Sequence, residues 1–593
     1  MQSITRSALM LSTALAALSV QCATRPSPTD VSEASSSGGE GGRARGPASN
    51  FPTREEITRI ATTTRPTLPP PERTAPLERW ELAGPFPATL GAGAVTDASP
   101  FTALLRAQTD RTGGRAVVSP SMKCAARELG LYILRHEGSV PEPFASFVAG
   151  RCGGLNAHLG YASSRGTADP NASEATLAAE FRAELAREIA QVIDPARGPQ
   201  NVGVWFGRDG DRILVALAVE PRRVALEHVP VAPDAQGQVT FQGRLLETAQ
   251  RVVGQINQGE YESTACELDP AVRLPLFRMR CPVRAGDAAA RVELSALPPG
   301  RFLSHTVLSA VVGAGRDESR TFEVTADDPT RTARDAQQAR DVLTALVNEA
   351  RQRAGVPPLD LAARESDTAC QVTHVYFANA LGADGAESAN DRLALGMMAG
   401  WDVDGAMIRE GRFITMGGVA DNNLARWVAW TLERPLGRTV LLDRGLRQVA
   451  LCPWMNDGQV QGVLWSSYAL YDDAEVPAEV EAVYRRLDAA RRARGVNPAE
   501  RLTALHAMMK TEAQTFARGG RGLDATLQVM LDRAVEATQS SMRGIVIPTS
   551  ELDSIEFPRA VVEDPAARVA VQLVHWRAPD AAWGQAVVFL LVR

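Results

Sequence analysis

The sequence predicts a multidomain α+β protein of three related units, each made of helices and strands, together with one all-β sandwich domain. A chain of 593 residues has room for three or four domains. Three observations carry the prediction: a motif that recurs at a fixed distance, a pair of apolar strands at the end of each unit, and one stretch of short strands without helical periodicity.

The recurring motif is Arg-x-x-x-Gly-Val-x-Pro, and it follows an amphipathic helix at two places. It begins at Arg351 in NEARQRAGVPPL and at Arg491 in DAARRARGVNPA, a shift of 140 residues. Leu343, Val347 and Ala350 have helical spacing, which predicts a buried face on the first of these helices. The glycine fits a helix C-cap, and prolines prevent the helix from continuing. A shared motif indicates an internal repeat; chance similarity of two amphipathic helices is the alternative.

Each unit is predicted to end in two apolar strands. In the first unit, VGVWFGRDGDRILVALAV contains two strand-like runs joined by Arg-Asp-Gly, which favours a hairpin. The second unit ends in VALC and VQGVLWSSYAL, and the third in VAVQLV and GQAVVFLLV. Upstream in the first unit, two amphipathic helices are predicted, one after Ser119-Pro120 and one over Glu174–Ile193 with Ser173 as its N-cap.

Residues between Arg222 and Val324 form short strand-like runs separated by Gly, Pro and Asp, which fits a β-sandwich of about a hundred residues. The predicted domains are listed in chain order. They are 76–220 (first α/β unit), 221–330 (β-sandwich), 331–473 (second unit) and 474–593 (third unit).

Residues 1–22 are similar to the signal peptide of a bacterial lipoprotein. The apolar run Ala8–Val20 follows Arg6 and is too short to span a bilayer. Leu18 to Cys22 resembles a lipobox, from which Gln21 and Ser19 depart. We therefore expect an exported protein, either lipid-anchored at Cys22 in the outer membrane or secreted after cleavage near Ser19, with Cys22 a free thiol. Residues 23–75 are rich in Ser, Gly and Pro, which predicts a disordered tether.

The six cysteines beyond Cys22 allow fifteen connectivities. Proximity along the chain favours one bridge in each of three domains: Cys124–Cys152, Cys266–Cys281 and Cys370–Cys452. An oxidising compartment favours such bridges, and six buried thiols are the alternative.

Composition and motifs exclude several function classes. A net charge of −6 gives no reason to expect nucleic acid as a partner. The sequence lacks H-E-x-x-H, P-loop, G-x-S-x-G and Rossmann motifs, and it has no C-x-x-C pair. We therefore expect no cofactor, although a catalytic triad assembled from distant residues stays open.

The stretch LVNEARQRAGVPPL opens a resemblance to the CAP superfamily (cysteine-rich secretory, antigen 5, pathogenesis-related 1), in its bacterial SCP-like branch. It covers about 110 residues. The positions that continue it are Ala369, His374, Asp391-Arg392-Leu393, Ala399-Gly400-Trp401, Trp430, Arg434-Pro435-Leu436-Gly437-Arg438, Leu441-Leu442 and Val449-Ala450-Leu451. The resemblance implies repeated α-β-α sandwich units with a surface cleft, and the third unit is interpreted as a diverged copy.

The same resemblance implies a cleft in which two histidines and acidic residues hold a divalent metal. This chain has Leu381-Gly382-Ala383-Asp384 at the place of the first histidine and Gly437 at that of the second. Only Glu410 matches the cleft glutamate, so we expect no metal site. Glu410 is a candidate catalytic residue, together with His374, which we expect to be partly buried.

These observations favour a non-enzymatic exported protein that binds an envelope component, a surface protein or a small hydrophobic ligand. The alternative is a secreted peptidase or wall-modifying hydrolase with an altered cleft, which requires Glu410 and His374 to converge in an open pocket. A structural spacer is a third interpretation, and it predicts no concave apolar pocket.

Overall fold

The computed structural model describes residues 21–22, 51–63 and 75–593, with gaps at 92, 94, 157–158, 194–197, 228, 285–288, 302, 314–319, 325–328, 382–386, 406, 422, 457–458 and 580. The apolar core of the predicted signal peptide lies outside these residues. No helix in the described part of the chain is long and apolar enough to cross a membrane. The first elements are β1 (Gln21–Cys22), α1 (Arg54–Thr63), β2 (Trp80–Glu81) and β3 (Thr89–Leu90).

The first α/β unit follows. Its elements are α2 (Pro100–Thr109), β4 (Ala116–Val118), α3 (Pro120–Arg135), α4 (Glu142–Arg151), β5 (Gly160–Thr167), α5 (Glu174–Glu180), α6 (Arg182–Val192), β6 (Gln200–Asp209) and β7 (Arg212–Pro221). Ser119 and Ser173 are the N-caps of α3 and α5. The hydroxyl of each accepts a hydrogen bond from the backbone N–H three residues later, that of Met122 and that of Thr176. The predicted second helix is therefore two helices, broken at Phe181, while the hairpin of β6 and β7 is confirmed.

The β-sandwich comes next. The strands in this region are β8 (Val224–Leu226), β9 (Val229–Pro230), β10 (Gln238–Leu245), β11 (Arg251–Gln258), β12 (Glu262–Ala265), β13 (Glu267–Leu268), β14 (Leu276–Pro282), β15 (Ala290–Leu297), β16 (Ser304–Val312) and β17 (Thr321–Phe322). Of these, β9 pairs with β3 and β17 pairs with β2, outside the two sheets of the sandwich. One sheet has the order β1-β16-β15-β11-β12 and the other β13-β14-β10-β8. Phe241, Met279 and Leu294 are among the buried side chains of its core.

The second unit begins with α7 (Ala336–Arg353) and ends with a long hairpin. Its other elements are β18 (Asp360–Leu361), α8 (Ala363–Leu381), α9 (Glu387–Ala399), β19 (Ile408–Asp421), α10 (Leu424–Leu432), α11 (Pro435–Leu441), β20 (Leu446–Asn456) and β21 (Gln459–Leu470). Leu343, Val347 and Ala350 of α7 are buried, as their spacing predicts. Gly355 has φ +66°, a left-handed conformation that glycine adopts without strain at a C-cap.

The third unit repeats this order in shorter form. Its elements are α12 (Val476–Arg492), β22 (Glu500–Arg501), α13 (His506–Ala517), α14 (Leu523–Thr538), β23 (Arg543–Thr549), α15 (Arg559–Val562), β24 (Arg568–Trp576) and β25 (Gln585–Val592). Helices cover both faces of its sheet, and two separate apolar cores result.

The three units share one sheet topology. In each four-stranded sheet, the first strand along the chain lies at one edge and runs parallel to the third strand. The third strand pairs with the fourth and the fourth with the second, both antiparallel. The predicted fold class is therefore confirmed: α+β, with a repeated helix–sheet–helix unit and an all-β sandwich.

The repeated arginine has the same role in two units. Arg351 is fully buried and donates from Nε to Pro357 O (2.6 Å) and from Nη1 to Leu441 O (2.7 Å). Arg491, also fully buried, donates from Nε to Asn497 O (2.7 Å). Each guanidinium thus satisfies backbone carbonyls of the loop after its own helix, which explains why the motif recurs.

The structure contains three disulfides, with the pairing that chain proximity favours: Cys124–Cys152, Cys266–Cys281 and Cys370–Cys452. The first joins α3 to the end of α4, the second lies in the β-sandwich, and the third joins α8 to β20. One bridge therefore stabilises each of the first two units and one the sandwich.

Residues 51–63 differ from the predicted tether, because they fold onto the second unit. Ile57 is buried in α1, and Glu56 forms hydrogen bonds with Arg392 through both carboxylate oxygens. Arg54 forms an ion pair with the buried Asp402 at 3.1 Å. The prediction of a tether is wrong for this segment. Four polar contacts and the burial of Ile57 stabilise it and offset the conformational entropy that the chain loses on folding. Residues 23–50 lie outside the described residues.

A buried glutamate in the first unit predicts a pH-dependent stability. Glu220 accepts hydrogen bonds from Leu155 N (2.9 Å), Asn156 N (3.1 Å) and Asn201 Nδ2 (2.9 Å). Burial raises the pKa of Glu220 to about 7, against the opposing effect of these hydrogen bonds. In the unfolded chain, Glu220 loses its proton near its ordinary pKa. At a pH between that value and about 7, Glu220 is therefore protonated in the folded state and ionised in the unfolded state.

We expect Glu220 to stabilise the fold below about pH 4.5 and to lose about 3 kcal/mol of that contribution as the pH rises to about 7. Glu220→Gln keeps the hydrogen-bonding shape and removes the titration. The measurement is urea unfolding of both proteins at pH 5 and pH 8. The variant should gain stability relative to the native protein at pH 8; an equal difference at both pH values would contradict the prediction.

Candidate functional site

Glu410 lies in β19, on the face of the sheet that α7, α10 and α11 cover. Arg412, two residues along the same strand, lies on this face with Ile414, whose side chain belongs to the core beneath α7 and α10. Arg412 Nε is 2.9 Å from Glu410 Oε1, and Arg412 Nη1 is 2.8 Å from Asp443 Oδ2. Glu410 is therefore one end of a chain of ion pairs.

His374 lies on the opposite side of the same sheet. Tyr376 of helix α8 packs against Phe413 of β19. Phe413 is next to Arg412 in the strand, so the two side chains lie on opposite faces of the sheet. The side chain of His374 is exposed, not partly buried as expected. The structure therefore does not bring Glu410 and His374 together, and the geometry that a hydrolase would require of this pair is not present.

The stretch at the place of the second cleft histidine contacts the β-sandwich. Arg434 Nε binds Glu293 Oε1 of β15 at 2.8 Å, and both side chains are almost completely excluded from solvent. Glu293 Oε2 also accepts a hydrogen bond from Leu436 N at 3.2 Å. Arg438 Nη1 donates to three carbonyls of the sandwich, those of Gln258, Gly259 and Glu262. This segment therefore joins two domains.

Gly437 leaves no room for a side chain. A Cβ atom at this position would lie 2.0 Å from the carbonyl oxygen of Thr431, well inside van der Waals contact. A histidine at Gly437 would require the backbone of α10 or α11 to move. Residues 382–384, at the place of the first histidine, lie outside the described residues.

A cleft lies between the second and third units. It consists of two adjoining cavities of about 530 and 340 Å³, and both are lined by Arg409 and Tyr471. Arg444, Arg447, Asp472 and Glu475 complete the polar lining of the larger cavity. Glu410, Glu479, Ser550 and Glu551 complete that of the smaller. This cleft is the candidate functional site.

The floor of the cleft is supported by a buried histidine of the third unit. His575 in β24 stacks on the ring of Tyr471 with a centroid distance of 4.3 Å. His575 Nε2 is 2.6 Å from Glu479 Oε2, and Nδ1 is 3.3 Å from Asp473 Oδ1. These contacts fix Tyr471 and Glu479 in position while the imidazole itself is covered.

Contacts between the two units hold the cleft together. Gly584 N donates to Ile408 O at 2.8 Å, and Trp583 Nε1 donates to Met398 O at 2.9 Å. Within the second unit, Tyr471 N donates to Met407 O at 2.9 Å and holds Tyr471 at the base of the cleft. The site is therefore built on strand ends and packed loops, which position side chains precisely.

Sequence reasoning identified Glu410 but missed the rest of the cleft. The available signal was His575, a lone histidine within the apolar run VAVQLVHW, where an imidazole needs a partner. Its partner Glu479 is 96 residues away in the chain, so no local spacing joins them. Among the described residues, no group of three or more His, Cys, Asp and Glu side chains is arranged to hold a metal ion.

No protein-family model matches the sequence, and no curated protein matches it. Among solved structures, the chain is similar to that of an extracellular protein containing a SCP domain from Bacillus anthracis str. Ames. The identity is 10%, the match covers 42% of this chain and 86% of that chain, and the TM-score is 0.17. A score this low carries no argument about function.

Proposed function

We propose that this chain is an exported, non-enzymatic binding protein built from degenerate CAP-like units. The observation that carries the proposal is the use of Arg434–Arg438 as a junction with the β-sandwich. Residues at the place of a catalytic or metal-binding cleft instead stabilise the arrangement of domains. The separation of Glu410 from His374 across the sheet supports the same conclusion.

Three disulfides support export, because such bridges persist in oxidising compartments. We propose that the protein resides in the cell envelope or outside the cell, and that Cys22 is the site of a lipid anchor. A membrane would then be a partner only through that lipid.

The lining of the cleft favours a polar partner over a small hydrophobic ligand. Both cavities are lined mainly by charged side chains and the hydroxyl-bearing Tyr471. A polar envelope component or a segment of another surface protein fits this chemistry, because buried apolar ligands need apolar walls.

The experiment that tests the proposal incubates the purified full chain with isolated cell-wall sacculi and, separately, with denatured casein. We expect the protein to sediment with the sacculi and to release no soluble wall fragments or peptides detectable by mass spectrometry. Glu410→Ala should likewise release no wall fragments or peptides. Fragment release that this substitution abolishes, or failure to sediment with the sacculi, would overturn the proposal.

A further inference from the structure

We propose that the cleft between the second and third units binds a short zwitterionic peptide. The carboxylate of the peptide lies at Arg409, Arg444 and Arg447, and its ammonium group lies at the facing carboxylates of Asp472 and Glu475. This inference rests on the proposed binding function and assigns a site and a ligand class to it.

The cationic wall consists of three arginines from the second unit. Arg409 lies over the turn between Arg444 and Arg447. A Cβ atom added to Gly445 of that turn would lie 3.1 Å from Arg409 Nη2. Among the described residues, none of the three arginines forms an ion pair with a carboxylate. Arg447 Nη1 donates to the backbone carbonyls of Arg444 and Leu446, so its partners are neutral. An anion in the cavity would therefore add a charged partner to this wall.

The carboxylate of Asp443, which precedes Arg444 in the chain, has partners outside the cationic wall. Asp443 Oδ1 accepts a hydrogen bond from Gly445 N at 2.6 Å, and Asp443 Oδ2 binds Arg412 at 2.8 Å. Asp443 therefore shapes the turn that carries Arg444 and does not neutralise the cationic wall. The ligand has to supply the missing anion.

The acidic wall comes from the segment that leads into the third unit. Asp472 Oδ1 accepts a hydrogen bond from Ala474 N at 2.8 Å, which fixes the turn before α12. Glu475 lies at the N-cap position of that helix. Neither carboxylate forms an ion pair with the arginines that line the same cavity, which has a volume of about 530 Å³. Both carboxylates are therefore available to bind a cationic group of a ligand. That volume is in the usual range for small-ligand sites.

The adjoining smaller cavity decides between classes of ligand. Beyond Arg409 and Tyr471 it adds Glu410, Glu479 and Glu551, so five carboxylates and three guanidinium groups line the whole cleft. Of these carboxylates, Glu410 is paired with Arg412 and Glu479 contacts His575. A polyphosphate would be repelled by these carboxylates, and a simple amine would be repelled by the arginines. A peptide with one carboxylate and one or more ammonium groups satisfies both ends with charge-assisted hydrogen bonds.

The test is isothermal titration of the full chain with the tetrapeptide Ala-Ala-Lys-Ala, whose C-terminus is its one carboxylate and which has two ammonium groups, and with its C-terminal amide. We expect the free acid to bind at least about tenfold more tightly than the amide, because the amide loses a charged partner of the arginines. The double variant Arg444→Gln/Arg447→Gln should lose a similar factor. Arg518→Gln, an exposed arginine of the third unit away from the cleft, is the matched control and should bind normally.

Equal binding of acid and amide, or normal binding by the double variant with an unchanged unfolding midpoint, would overturn the inference. The sacculus experiment separates this failure from that of the proposed function. If the double variant still sediments with sacculi as the native protein does, the site assignment is wrong and the binding function stands. If the native protein does not sediment, the binding function itself fails.

Discussion

Replacing Arg434 with methionine should lower the free energy of unfolding of the second unit by about 3–5 kcal/mol. The guanidinium is 2% exposed, and its partner Glu293 is completely buried. Removing the arginine leaves a carboxylate without its counter-ion inside the junction, where desolvation is costly. The effect is expected to be large because Glu293 belongs to a different domain, so the variant also weakens the contact between domains.

The measurement is urea unfolding followed by tryptophan fluorescence, since Trp427 and Trp430 lie in α10 beside the junction. Glu293→Met/Arg434→Met is the informative control. It removes both charges, and we expect it to be more stable than Arg434→Met alone, because no unpaired charge remains. A loss below about 1 kcal/mol in the single variant would show that the ion pair is exposed to solvent.

Replacing the repeated arginines should destabilise each unit separately. Arg351 donates hydrogen bonds to four carbonyls, those of Pro357, Leu441, Asp443 and Leu446. Burial lowers the pKa of Arg351 to about 10, and the side chain still carries its charge at neutral pH. Arg351→Met would remove these four hydrogen bonds from the interior of the unit, so we expect a loss of about 4 kcal/mol.

Hydrogen exchange resolves which unit responds. Arg351→Met should accelerate exchange in β20 and β21, and Arg491→Met should do so in β24 and β25. Arg492→Met is the control, because Arg492 is exposed next to Arg491 on the same helix. Equal acceleration in all units for either variant would contradict the interpretation of separate, repeated structural units.

Local patterns in the sequence carry much of the fold. The motif at Arg351 and Arg491 revealed the repeat, because the glycine and prolines that end a helix are set by nearby residues. Proximity along the chain gave the disulfide pairing, since the first unit, the sandwich and the second unit each hold two of the six cysteines. The hairpin at Arg208-Asp209-Gly210 was evident because Gly210, with φ +64°, suits a tight turn.

The functional surfaces depend on residues that are distant in the chain. Arg434 and Glu293 are 141 residues apart, and the polar stretch around Arg434 gives no sign of its partner. Helix α1 was missed for a similar reason. The stretch of chain around it has the composition of a tether, and the contact of its Glu56 with Arg392 spans 336 residues. The domain boundaries, the lipid on Cys22 and the nature of the partner remain predictions.

The segment Arg434–Arg438 joins the second unit to the β-sandwich. The exchange rate of the Leu436 amide tests this junction most directly. Leu436 is the second residue of α11, where an amide has no acceptor within its own helix, and its acceptor is Glu293 of the sandwich at 3.2 Å. We predict that this amide exchanges as slowly as the central amides of β21. Exchange near the rate of an unprotected amide would contradict the claim.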